Sequence, residues 1–149
     1  MLAALGAVAV LLLTACSDEA ERLPASCAGR PAAMLAALEQ APGRVVLEDG
    51  TPLSRCVSAA RTDADLQSLG LTFTGVADSL RPDAASDPDA ALRLGYLAGA
   101  VSSGAVRSSG SIAMQLARRV DQLAALEEGA APASQEALAR GRRAGARSG

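Results

Sequence analysis

The chain has 149 residues, enough for one compact domain; half of them are apolar and 20% charged, yet Phe73 and Tyr96 are the only aromatics and tryptophan is absent. A core built from leucine, valine and alanine leaves little room for misfit, so helices must approach one another closely. The formal charge of -2 gives no electrostatic reason for a nucleic-acid partner, and the lack of any histidine excludes an imidazole base, an imidazole metal ligand and a C-x-x-C-H haem attachment.

Residues 1–15, MLAALGAVAVLLLTA, carry no charged side chain, and the run is shorter than the about 20 apolar residues that span a bilayer. Its length and small terminal residues suit a secretory signal. Composition alone also fits a signal cleaved elsewhere or a buried apolar helix. Leu13-Thr14-Ala15-Cys16 resembles the lipobox of bacterial lipoproteins, a likeness confined to about the first 17 residues. No Lys or Arg precedes the run, a departure that leaves the N-terminal amine as its positive charge. The resemblance implies cleavage after Ala15, a diacylglyceryl thioether on Cys16, and attachment to membrane lipid through that residue. Two or more acyl chains would make the attachment stable. Ser17 stands where enterobacterial lipoproteins retained in the inner membrane carry aspartate. Alanine richness and basic side chains that are all arginine are similar to those of small, uncharacterised lipoproteins of high-GC bacteria, actinobacteria among them; this likeness assigns no ligand or catalytic residue.

With Cys16 assigned to lipid, Cys27 and Cys56 remain as a pair that an oxidising exterior allows to bridge; two separate buried thiols are the alternative. Closing that loop contributes about 3 to 4 kcal/mol in the chain-entropy picture. The polar SDEAERLPAS after Cys16 suits a short tether.

Pro31 is a good first-turn residue for a helix running through AAMLAALEQ, with Met34, Leu35 and Leu38 on its apolar face, until Pro42-Gly43 breaks it. In RVVLEDGTPLSRCV, Val45 to Leu47 form a short extended run and Asp49-Gly50 a turn signal before Leu53 and Val57; a small hairpin and irregular coil fit it equally. Thr62-Asp63-Ala64-Asp65 offers a helix cap. Behind it Leu66, Leu69, Phe73, Val76, Ala77 and Leu80 recur at helical spacing. Gly70 and Gly75 lower the propensity of that helix. RPDAAS reads as a linker. Asp87-Pro88-Asp89 then supplies a cap, a first-turn proline and an acid for a helix over 88–106. Leu94, Leu97, Ala98, Val101 and Ala105 line one stripe of it, Leu92, Tyr96, Gly99 and Ser103 a second. SSGS at 108–111 is a break, with Ser111 placed to cap a helix whose inward stripe is Ile112, Leu116, Val120 and Leu123. Gly129 ends that helix, and Pro132 prevents simple continuation.

These elements predict an all-α fold, a bundle of about four helices with antiparallel neighbours and one disulfide fixing the N-terminal segment. The expected division is a signal peptide at 1–15, lipidated cysteine and tether at 16–28, the bundle at 29–129, and a frayed basic tail or short helix at 130–149. Arg140, Arg142, Arg143 and Arg147 form a basic patch in that tail, able to touch anionic lipid or cell-wall polymer.

No catalytic constellation emerges, and the chain is expected to be no enzyme, with no cofactor or metal. All basic side chains are arginines, which rules out a Ser-Lys dyad. Asp63 with Asp65 and Asp87 with Asp89 read as caps, and Glu127-Glu128 as a wet helix end. Gly99-x-x-x-x-Gly104 lacks the Lys-Ser/Thr of a phosphate loop. The expected role is that of a membrane-anchored extracytoplasmic lipoprotein, structural or adaptor, with an envelope protein or cell-wall partner. The alternative is a binding module for a small apolar or wall-derived ligand, with Tyr96 and Met114 beside its pocket. Exposure of Gly99 and Gly104 would mark the small-residue face of the third helix as a partner interface.

Overall fold

The computed structural model describes residues 22–108 and 110–149. Among them a 3-10 turn at Ala25–Ala28 leads into α1 (Pro31–Leu38), α2 (Leu53–Ala59), α3 (Asp63–Ala84), α4 (Pro88–Arg107), α5 (Ser111–Leu123) and α6 (Pro132–Ser148). The fold is therefore all-α, with six helices where about four were expected.

α4 is the axis of the molecule. Leu94, Leu97, Ala98, Val101 and Ala105 are buried, and so are Leu92, Tyr96 and Gly99 on the neighbouring stripe. A helix apolar around most of its circumference has to be enclosed by others, and α2, α3, α5 and α6 all pack on this one. Asp87 caps it as expected, its carboxylate accepting the Asp89 N–H at 2.9 Å, with Pro88 in the first turn.

α3 begins at the anticipated capping box: Asp65 N–H donates to the Thr62 hydroxyl at 3.1 Å, and the Asp65 carboxylate accepts the Thr62 N–H at 3.0 Å. Leu66, Leu69, Phe73, Val76, Ala77 and Leu80 are all buried on its inner face. The backbone N–H of Thr62, then its side chain and the Arg61 N–H, hold the Asp65 carboxyl below the ordinary carboxylate range. A depressed folded value means that the box stabilises α3 fully above the ordinary range and weakens as pH falls through the lowered folded value. Thr62→Ala is expected to return the Asp65 titration, followed by NMR, toward the ordinary value and to cost about 1 kcal/mol.

The chain departs from the sequence reading at several joints. α3 runs through the supposed linker to Ala84 with Pro82 inside it, because buried Leu80 and Ala84 anchor its final turn. The segment expected as hairpin or coil makes one isolated antiparallel bridge, Val46 to Pro52, after which Leu53 and Val57 belong to α2. A turn through Gly50, at φ 81°, precedes it. Gly110, not Ser111, stands at the N-cap of α5, and no side chain caps that helix. α5 stops at Leu123, before Gly129, whose φ of 91° serves the connecting turn. On its inner face Ala113, Leu116, Ala117 and Val120 are buried, whereas Ile112 remains 37% exposed. The helix before Pro132 does not continue through it, as expected, but Pro132 opens a new one: the segment read as a frayed tail or short helix is the 17-residue α6.

Cys27 and Cys56 form the expected disulfide, with Cα atoms 5.4 Å apart and both side chains fully buried. It ties the 3-10 turn to α2. Leu23 packs against the core and Cys27 lies within it, so part of the segment read as tether belongs to the packed body.

Candidate functional site

The small-residue face of α4 is interior. A Cβ on Gly95 would collide with the Leu138 carbonyl oxygen, and one on Gly99 with that of Arg142. Reciprocally, Gly141 admits the Leu92 carbonyl and Gly145 that of Tyr96. Residue numbers rise together along the two helices, so α4 and α6 run parallel, two G-x-x-x-G stretches face to face. This pairing joins α4 not to a consecutive helix but to the helix after next. Gly104 is closed off on another side by the Ser54 carbonyl and Val57 of α2. Burial of Gly99 and Gly104 removes the reason to place a partner there; the covering helices are α6 and α2.

Tyr96 and Met114 do not share a pocket. Tyr96 is fully buried, and its hydroxyl accepts the buried Val45 N–H at 3.1 Å, fastening the loop before α2 to the central helix. Met114 is 38% exposed, at a shallow surface groove of 160 Å³ with Val106 and Ala117. Tyr96→Phe is expected to leave the Val45 amide without a partner and cost about 1 to 3 kcal/mol, read as a lower denaturant midpoint.

The remaining candidates are dispersed. Asp63 and Asp65 serve the α3 terminus, Asp87 and Asp89 that of α4, and Glu127 and Glu128 are exposed between α5 and α6. Among the described residues no group of three or more His, Cys, Asp or Glu side chains is placed to hold a metal ion. Of the terminal arginines, Arg140, Arg143 and Arg147 are exposed on α6, but Arg142 pairs with Asp121 and so fastens α6 to α5. Cys16 lies outside the described residues.

One concave surface was not anticipated. α3 and α5 leave between them a groove of 700 Å³, floored by Leu66, Gly70 and Leu116 and edged by Leu71, Ile112 and Arg119. Leu71 is 78% exposed. Thr74, Gln67, Gln115, Gln122 and Arg118 complete its lining, which contains no acidic residue. Gly70 sets its depth: even a Cβ there would meet nothing closer than the Leu116 Cδ1, at 3.8 Å. The sequence signal was Leu71, an apolar residue outside the stripe of α3, and Ile112, read as facing inward, but it needed the register of α3 against α5 to become a surface.

No family model, no curated protein and no solved structure matches this chain. Its function is therefore argued from its own residues.

Proposed function

We propose that this protein is an extracytoplasmic lipoprotein, held on the outer side of a membrane by an acylated Cys16 and presenting a rigid helical body with a structural or adaptor role. The observation that supports this reading most is the cysteine pairing. Cys27 and Cys56 are bonded to each other in the core, which suits an oxidising compartment. That leaves Cys16, directly behind an apolar run ending Leu-Thr-Ala, as the cysteine without a disulfide partner. No described helix is long and apolar enough to cross a membrane, so on this reading attachment rests on the acyl chains. Leu23, a few residues along the chain from Cys16, packs against the core, a separation that on this reading favours contacts with neighbouring envelope components over long-range capture. Replacing Cys16 by serine tests the anchor: the variant is expected to move from the membrane fraction to the extracytoplasmic soluble fraction. A variant that stays membrane-bound to the same extent would refute the proposal.

A further inference from the structure

We infer that the groove between α3 and α5 seats one single-chain anionic amphiphile, an acyl chain ending in a carboxylate or phosphate. The groove is graded in polarity along its length. α3 and α5 run in the same direction, Leu66 beside Ile112 and Gly70 beside Leu116, so the first turns of both helices make an uncharged end in which these apolar side chains are joined by Gln67 and Gln115. Thr74, Arg119 and Gln122 follow two to three turns later and make a polar, cationic end. From Ile112 to Gln122 the groove extends about 15 Å, given the rise of an α-helix. Its volume of 700 Å³ lies in the range of small-molecule sites.

The charge is uncompensated. Arg118 and Arg119 have no ion-pair partner among the described residues, whereas Arg142 takes Asp121. An anionic headgroup supplies what the rim lacks, and Gln122 adds an amide donor at the same end. A peptide fits less well: both walls are helices with internally bonded backbones and offer no edge for an extended strand. A three-turn groove is also short for the about 1,200 to 2,000 Å² that a stable protein interface buries. The notch over Gly70, where a Cβ would meet only the Leu116 Cδ1 at 3.8 Å, accepts a chain lying along it rather than a flat bilayer.

This site goes beyond the anchored role and does not depend on acylation of Cys16. The test is isothermal titration of the full chain carrying Cys16→Ser with monomeric dodecanoate. Saturable one-to-one binding is expected. Gly70→Leu, which fills the notch with a better helix former, is expected to weaken it by about tenfold or more. The Arg118→Glu/Arg119→Glu double variant, altered only at exposed side chains, is expected to weaken it by at least about tenfold. Dodecyltrimethylammonium, with the same chain and the opposite charge, is expected to bind at least about tenfold more weakly to the unaltered groove. The inference is overturned by absence of dodecanoate binding, by equal affinity for the two amphiphiles, or by either variant binding like its parent. Binding to phosphatidylglycerol vesicles without binding of monomeric dodecanoate would also overturn it, and would make the face a membrane contact instead.

Discussion

Gly145→Ala is expected to destabilise the protein by about 3 kcal/mol, near the upper end of what overpacking costs, although alanine is the better helix former by about 1 kcal/mol. The reason is what the new methyl group meets. At Gly145 it would intrude on the Tyr96 carbonyl oxygen, and the next nearest atoms are also α4 backbone. Backbone cannot rotate away as a side chain can, so α6 must move bodily. Moving it loosens the contacts of Gly95, Gly99 and Gly141 together, since one interface contains all four. Gly145→Val is expected to separate α6 from α4 altogether, with loss of protection from hydrogen exchange along both helices. Gly70→Ala is the control with opposite sign. It adds the same methyl group where the nearest atom is a side-chain carbon at 3.8 Å, and is expected to raise stability by up to about 1 kcal/mol. Thermal unfolding of the three variants beside the parent measures these effects. An equal gain in stability from alanine at positions 70 and 145 would show that helix propensity, not helix approach, governs both.

Removal of the disulfide is the other large effect. The Cys27→Ala/Cys56→Ala variant is expected to lose about 3 to 4 kcal/mol, seen as a lower denaturant midpoint. The bridge closes a sequence separation of 29 residues that includes α1, the Val46 to Pro52 bridge and part of α2. With seven residues, α2 is too short to persist without tertiary support. The fully buried Cys27 also fixes the 3-10 turn against α3. Reductant is expected to lower the midpoint of the parent to nearly that of the double variant and to leave the variant unchanged. A parent whose midpoint is indifferent to reductant would show that α1 and α2 are held by packing alone.

The parts of the fold legible in the sequence are those set by local chemistry. Thr62 with Asp65, and Asp87 with Pro88 and Asp89, announced two helix starts, since a cap is formed by residues a few positions apart. Leucine spacing in α3 and α4 announced their inner faces. The cysteine pair was readable because few pairings were available. α6 escaped for the opposite reason. Its buried residues are Ser134, Ala137, Gly141, Ala144 and Gly145, so it carries no large apolar stripe. By intrinsic propensity its glycines argue against a helix. They fit because α4 presents glycines at the matching spacing, a complementarity between segments that neither shows alone. The groove was hidden likewise: Leu71 falls outside the apolar stripe of its helix and Ile112 reads as part of an inward stripe, and only with α3 and α5 side by side do the two edge one surface. RPDAAS reads as a linker because its proline, small and polar residues carry no apolar stripe, while burial of Leu80 and Ala84 holds this last turn of α3 in place.

The functional account turns on Cys16, and intact-mass measurement of the protein purified from membranes tests it most directly. The account predicts a polypeptide that starts at Cys16, carries the added mass of a diacylglyceryl group with or without a further acyl chain, and retains an oxidised Cys27 to Cys56 pair. An unacylated chain still beginning at Met1, or a processed chain with a free thiol at Cys16, would contradict it.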